Sequence, residues 1–103
     1  MVKKGDERPD RPLSSWEASA LEAVAGVIEF WGFKRNQGRL WTLLYLRGVA
    51  LTAAQIQSVL DLSKGAVSMV TREMEQWSVI HRLRHDDSNS WHFAAETSLV
   101  KMV

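Results

Sequence analysis

Residues 52–77 read TAAQIQSVLDLSKGAVSMVTREMEQW, and their apolar residues recur at helical spacing in two short segments. The first segment predicts a helix that runs from Thr52 to about Leu60, because Gln55 follows Thr52 at the spacing of a capping box. After a short turn, the second segment predicts a helix from about Lys64 to Trp77. Two helices joined by a tight turn indicate a helix-turn-helix unit.

The two sides of the second predicted helix differ in character. Its inward side is apolar and continuous, and consists of Val67, Val70, Met74 and Trp77. Its free side is small near the start and basic further along, and consists of Lys64, Gly65, Ser68, Met69 and Arg72. Gly65 costs helix stability, which is acceptable where the backbone approaches a base edge or a phosphate closely. Since the major groove of DNA admits such a helix, we expect this side to bind DNA.

A β-hairpin is predicted directly after the helix-turn-helix unit. Residues 79–85 and 91–95 are typical of strands, and residues 86–90 of the turn between them. Arg82 and Arg84 share one face of the first strand, which places them to meet phosphates beside the groove. The β-prone link at residues 49–51 is able to pair with the hairpin as a third strand. The predicted fold is therefore mainly α with a small β-hairpin (α+β), a winged helix-turn-helix over residues 14–95.

The first helix is predicted from about Ser15 to Trp31, between a capping box at Ser14-x-x-Glu17 and a stop at Gly32. Its apolar residues cover most of its circumference, and one row of them consists of Ala20, Val24, Val27 and Trp31. A helix of this kind is buried on most sides. The pattern predicts either a homodimer, in which a second subunit covers this row, or simple core burial with a few exposed alanines.

Three further segments complete the predicted organisation. Residues 1–13 are rich in charge and contain both prolines, which predicts a disordered tail. A second helix is predicted from about Gly38 to Arg47, with an apolar side that consists of Leu40, Leu43, Leu44 and Tyr45. Residues 96–103 are typical of the start of a C-terminal helix that is cut off after little more than one turn.

Positive charge is concentrated in the middle of the chain. Residues 34–85 carry eight Lys and Arg against three Asp and Glu, a net charge of +5, whereas the whole chain carries +1. Either a phosphate-binding surface or a merely solvated basic surface accounts for this excess.

The sequence has no cysteine, which excludes disulfides, thiolate metal ligands and a cysteine nucleophile and fits a reducing cytosol. With no signal peptide and no apolar run of membrane-spanning length, we expect a cytoplasmic protein.

Motifs for catalysis do not occur in the sequence, which has no phosphate-cradling glycine loop, nucleophile elbow or metalloprotease helix. We therefore expect neither an enzyme nor a bound cofactor or metal. The three histidines, His81, His85 and His92, lie in the predicted hairpin, where contact with phosphate or solvent is favoured over a metal site.

The five tryptophans are many for this length, and helical spacing places Trp31 and Trp77 on core-facing rows. Core packing is the first explanation of the tryptophans, and an aromatic cage for a quaternary ammonium ligand is the alternative.

Residues 38–48, GRLWTLLYLRG, and residues 51–84, LTAAQIQSVLDLSKGAVSMVTREMEQWSVIHRLR, resemble the MarR superfamily of bacterial winged-helix regulators. The branch that includes repressors of glycine betaine synthesis is the most similar. It shows Gly-Arg at the start of the second helix, Leu-Thr before the helix-turn-helix and Ser-Lys-Gly-x-Val-Ser at the start of the recognition helix. The matching residues are Gly38-Arg39, Leu51-Thr52 and residues 63–68.

This resemblance implies a homodimeric transcriptional regulator, a repressor, that binds a roughly palindromic double-stranded DNA site. It places Ser63, Lys64, Gly65, Ser68 and Arg72 at the major groove and Thr52 beside a phosphate. The dimer would form through the first helix and the C-terminal helix, and a small-molecule effector is implied because some members respond to such ligands, choline among them. The sequence departs from the family at the wing tip, where residues 86–90 hold two aspartates and no arginine. The acidic tip and the short C-terminal helix favour the alternative function, a winged-helix module that binds protein and not DNA.

Overall fold

The computed structural model describes residues 8–84 and 90–97, which form four helices and a three-stranded sheet. In chain order the elements are α1 (Ser15–Phe30), α2 (Arg35–Arg47), β1 (Leu51–Thr52), α3 (Ala53–Leu60), α4 (Lys64–Gln76), β2 (Ile80–Arg84) and β3 (Trp91–Ala95). The sheet is antiparallel with the order β1-β3-β2. This architecture confirms the predicted α+β winged helix-turn-helix. The predictions for residues 1–7, for the hairpin turn at 86–89 and for the C-terminal helix from residue 98 fall outside the described residues.

Side-chain caps fix where three of the helices begin. The hydroxyl oxygen of Ser14 accepts a hydrogen bond from the amide of Glu17, and the Glu17 carboxylate accepts one from the amide of Ser14. Thr52 and Gln55 repeat this reciprocal pair at the start of α3. Ser63 accepts a hydrogen bond from the amide of Ala66 at 3.1 Å and so caps α4. All three caps agree with the predictions, because a hydroxyl in extended backbone satisfies amides that the helix itself leaves free.

Helix α2 begins three residues before the predicted start at Gly38. Its first turn has no hydroxyl cap, but the side-chain oxygen of Gln37 accepts a hydrogen bond from the amide of Lys34 at 3.1 Å. Gly38 is an interior helix residue that lies against α1. A Cβ atom at this position would be 2.9 Å from Cα of Ala25, so the glycine lets the two helix backbones approach closely. The sequence interpretation mistook a packing glycine for a boundary.

The core lies where α2, α3 and α4 meet the sheet and the inner side of α1. Its most deeply buried apolar side chains are Leu21, Leu40, Leu43, Leu51, Ile56, Leu60 and Val67. Each fully buried side chain of this size contributes about 1.5–3 kcal/mol relative to an exposed one. Strand β1 joins this core to the hairpin, because Leu51 pairs with Phe93 in the central strand. A third strand is thus present, at residues 51–52, where the sequence predicted residues 49–51.

Three aromatic residues that the sequence placed on apolar faces are exposed instead. Trp31 is 68% exposed, Trp77 is 56% exposed and Tyr45 is 53% exposed. Trp31 and Trp77 occupy the residues that follow the last turns of α1 and α4, and Gly32 and Ser78 then take left-handed backbone conformations. Since the helix ends there, the helical spacing no longer determines the direction of these side chains. Tyr45 stacks on Trp41 with a ring separation of 5.0 Å, at the surface of α2.

A buried ion pair ties the segment before α1 to helix α2. The side chain of Arg47 has no exposed surface, and its Nε atom donates to Oε2 of Glu17 at 3.0 Å. Its Nη1 atom donates to the carbonyl oxygen of Pro9 at 2.8 Å, and its Nη2 atom to that of Pro12 at 3.4 Å. Burial alone would raise the pKa of Glu17, but the amide of Ser14 and the guanidinium of Arg47 outweigh it and lower the pKa. The part of the predicted tail at residues 8–13 is therefore in contact with the helices.

Candidate nucleic-acid interface

Helix α4 has one side in the core and one side free, as its sequence predicts. Val67, Val70 and Met74 are buried. Thr71 is also buried, and its hydroxyl donates to the carbonyl oxygen of Val67 at 2.9 Å, which satisfies the hydroxyl within the helix. The residues predicted to bind DNA at the start and along the free side of α4 are all exposed: Ser63, Lys64, Gly65, Ser68, Met69 and Arg72.

The basic residues of this free side are available for contacts outside the chain. Within residues 8–84 and 90–97, no hydrogen bond or ion pair holds the side chain of Lys64 or of Arg72. A Cβ atom at Gly65 would meet nothing within 4 Å, so no contact inside the chain requires this glycine. Met69 is 57% exposed between them. The free side of α4 thus combines small, apolar and positively charged residues. Its basic side chains make no hydrogen bond or ion pair within the described residues.

The second half of α4 is tethered through its two glutamates. Glu73 accepts a hydrogen bond from Nζ of Lys34 at 2.6 Å and one from the side-chain amide of Gln37 at 3.4 Å. Glu75 binds Arg82 of strand β2 through two hydrogen bonds of 2.6 and 2.7 Å. The hydrogen bonds that Arg82 donates to Glu75 raise the pKa of Arg82. Helix α4 is therefore fastened to the start of α2 on one side and to the wing on the other.

The wing carries a cluster of two arginines and a tryptophan. Arg84 is opposite Trp91 in the strand register, and its guanidinium carbon lies 4.3 Å from the centre of the Trp91 ring. Arg82 lies 5.3 Å from the same ring. Stacking on an aromatic face restricts the guanidinium while leaving its N–H groups open to an anion. The sequence interpretation named both arginines but missed Trp91, which the alternation of strand residues would have placed on the same face.

Much of the positive charge between residues 34 and 85 is neutralised inside the fold. Arg47 is buried against Glu17, and Lys34 pairs with Glu73. Arg35 and Arg39 both pair with Glu22 of α1. The net excess in the sequence therefore overstates the basic surface, which is carried by Lys64, Arg72 and Arg84, since Arg82 pairs with Glu75.

Thr52 and the described histidines belong to the sheet and not to α4. Thr52 caps α3 with its hydroxyl and pairs with His92 across the sheet. His81 lies 3.7 Å from Glu96, and Nδ1 of His92 lies 3.1 Å from the carbonyl oxygen of Ser90. Across residues 8–84 and 90–97, no three side chains of the metal-binding types group together. In the same part of the chain, no helix is both long and apolar enough to cross a bilayer.

No protein-family model and no curated protein matches the chain. The fold is similar to that of solved structures, among them the crystal structure of a transcriptional regulator. That structure has a TM-score of 0.70, 23% sequence identity and coverage of 78% of this chain. The match covers 55% of the regulator's own chain, so this chain spans about half of its length. At this level of identity the likeness establishes a shared fold.

Proposed function

We propose that the chain is a sequence-specific DNA-binding transcriptional regulator, a cytoplasmic repressor of the MarR type that acts by occupying a promoter. The observation that carries the proposal is the free side of α4, where Lys64 and Arg72 have no partner among the described residues. A helix whose exposed side carries small residues and unpaired basic residues is suited to the major groove. The shared fold with a transcriptional regulator supports the same conclusion.

In this proposal each interface residue has a role. Ser63, Lys64, Gly65, Ser68, Met69 and Arg72 face base edges and phosphates in the major groove, and Thr52 lies beside a phosphate. Arg84, stacked on Trp91, contacts the phosphate backbone from the wing. Arg82 contacts the same backbone only in part, because Glu75 already neutralises it.

The proposed regulator is a homodimer, since a palindromic site needs two recognition helices. The predicted row of Ala20, Val24, Val27 and Trp31 supports this at two positions, because Val27 is 51% exposed on α1 and Trp31 is 68% exposed directly after the helix. Phe30, the last residue of α1, is also apolar and is 86% exposed. Soluble monomers rarely expose large contiguous apolar patches, and such patches usually mark an interaction site. Sedimentation equilibrium of the chain tests the dimer, and a monomer at high concentration would exclude it.

The test of DNA binding is a titration against duplex DNA at two salt concentrations, followed by site selection from a random pool. Steep salt dependence is expected, because phosphate contacts release counterions. On the selected site, Arg72→Ala is expected to weaken binding by about 1–3 kcal/mol, and Lys64→Ala to lower the salt slope by about one. Arg35→Ala is the matched control, because Arg35 pairs with glutamates of α1. Equal losses in Arg72→Ala and Arg35→Ala would show that the assigned face is wrong.

The second candidate is a winged-helix module that binds a protein partner. The observation in its favour is the exposed aromatic surface of α1 and of the residue that follows it, since Trp16, Phe30 and Trp31 are all more than half exposed. No binding to any duplex at low salt would favour this function over the first, since even non-specific DNA binding is electrostatic.

A further inference from the structure

The sulfur of this chain is carried by methionine alone, since the sequence holds four methionines and no cysteine. Two of the methionines, Met69 and Met74, belong to α4 and lie on different sides of it. Met69 is 57% exposed on the free side, whereas Met74 is 3% exposed in the core. Peroxides and hypohalous acids convert exposed thioethers to sulfoxides, and a buried sulfur is shielded by the close packing around it. The fold therefore separates one accessible sulfur from one protected sulfur within a single helix.

The surroundings of Met69 favour reaction with a small oxidant. Helix side chains tilt toward the N-terminus, so the side chain of Met69 lies over the turn that contains Gly65, where an added Cβ atom would meet nothing within 4 Å. Arg72, three positions later, makes no hydrogen bond or ion pair with any described residue. Glu73, four positions later, pairs with Lys34 at 2.6 Å. The unbalanced charge beside Met69 is therefore positive, which attracts an anionic oxidant such as hypochlorite.

We propose that Met69 is a reversible oxidation site, at which a peroxide or a hypohalous acid converts the thioether into a sulfoxide. With hydrogen peroxide, a lone pair on the sulfur attacks one oxygen, the O–O bond breaks and an S–O bond forms. The sulfur loses two electrons, the peroxide gains them, and the second oxygen leaves with both hydrogens as water. The product is a polar and chiral side chain, and methionine sulfoxide reductases return it to the thioether with a thiol as the reductant.

Oxidation at this position changes the free side of α4 and leaves the core as it is, because Val67, Val70 and Met74 pack on the inner side and are at most 5% exposed. The sulfoxide oxygen adds a hydrogen-bond acceptor one turn before Arg72, and a guanidinium N–H that donates to it is lost to a bound anion. An apolar contact also becomes a polar group that must lose its hydration when the surface is covered. On the proposed function, on which this step rests, the oxidised chain is expected to bind its DNA site at least about tenfold more weakly.

The first experiment measures where the chain is oxidised. Limited hydrogen peroxide is added to the folded chain, and mass spectrometry of proteolytic peptides locates the gain of one oxygen atom over time. Met69 is expected to react at least about tenfold faster than Met74, which serves as the internal reference in the same helix. The difference is expected to disappear in urea, where both sulfurs are open to solvent. Equal rates in the folded chain would overturn the site.

The second experiment titrates the selected duplex with untreated and with peroxide-treated chain. Met69→Leu keeps an apolar side chain without sulfur, and peroxide treatment is expected to leave the affinity of this variant where it was before treatment. Met74→Leu is the matched control, because it keeps Met69 and is expected to lose affinity on treatment as the original chain does. Circular dichroism before and after treatment establishes that each chain stays folded.

The results of the two experiments distinguish the oxidation site from the proposed function. Recovery of DNA affinity after reduction by a methionine sulfoxide reductase would support the site. A loss of affinity in treated Met69→Leu as large as in the original chain would overturn it, because another oxidised residue would then be responsible. Selective oxidation of Met69 in a chain that binds no duplex at low salt would refute the proposed function and support the oxidation site.

Discussion

Substitution of Arg47 by methionine is expected to destabilise the fold strongly, because it leaves the carboxylate of Glu17 buried without its cation. The side chain of Glu17 is 2% exposed and that of Arg47 is not exposed at all. Breaking a buried pair from one side typically costs about 3–5 kcal/mol. The amide of Ser14 still donates to Glu17 at 3.0 Å and Arg11 lies 3.7 Å from it, so we expect the lower end, about 3 kcal/mol. That is a large part of the stability of a small domain.

The measurement is urea unfolding followed by circular dichroism, with extrapolation to water. Arg35→Met is the matched comparison, because Arg35 forms its ion pair with Glu22 at the surface, where solvent screens such a pair and it contributes little to stability. The double variant Glu17→Gln with Arg47→Met is expected to recover part of the loss, because it removes the buried charge. The side-chain oxygen of glutamine still accepts the hydrogen bond from the amide of Ser14. If Arg47→Met costs no more than Arg35→Met, the reasoning from burial is refuted.

The pH dependence gives an independent check on the same pair. The folded-state pKa of Glu17 lies below its ordinary value, so its contribution is fully present above about pH 4.3 and is lost as the pH falls through the folded pKa. Without Arg47, burial acts against the charged form, and protonation of Glu17 then relieves the cost. The stability difference between the original chain and Arg47→Met is therefore expected to shrink from about pH 7 to about pH 4. A difference that does not change with pH would show that the carboxylate charge is not the cause.

Three further outcomes are expected from single substitutions. Gly65→Ala is expected to raise stability by about 0.8–1 kcal/mol, because an added Cβ meets nothing within 4 Å, and yet to weaken DNA binding; unchanged affinity would remove Gly65 from the interface. Gly38→Ala is expected to lower stability by about 1–3 kcal/mol in a urea titration, because its Cβ would lie 2.9 Å from backbone of α1; an increase would contradict the close helix crossing. Glu75→Gln is expected to strengthen DNA binding at low salt by freeing Arg82, and unaltered affinity would place Arg82 outside the interface.

Local signals in the sequence predicted much of the fold. The hydroxyl caps at Ser14, Thr52 and Ser63 each fix a helix start, because capping depends on residues three positions apart. The buried row of α4 followed from spacing alone up to Met74. The prediction was wrong for Trp77, because α4 ends at Gln76 and helical spacing no longer determines the direction of the next side chain.

Contacts between distant residues were not predictable in this way. The partner of Glu17 is thirty positions away at Arg47, a residue that the sequence interpretation counted as part of a basic surface. The tethers of α4 join Glu73 to Lys34 and Glu75 to Arg82, and only the packed fold brings these charges together. The close approach of α1 and α2 at Gly38 was missed for the same reason, since it joins residues that are distant in the sequence.

The separation of the two sides of α4 has an evolutionary consequence. Its core residues and glutamate tethers hold the helix in place, while the side chains at positions 64, 68, 69 and 72 are exposed. Substitutions at exposed positions of this kind usually change stability by less than about 0.5 kcal/mol. A duplicated gene for this chain could therefore drift at these four positions and acquire a new target without passing through an unstable intermediate. The same freedom makes the helix a suitable place to randomise in a directed-evolution library.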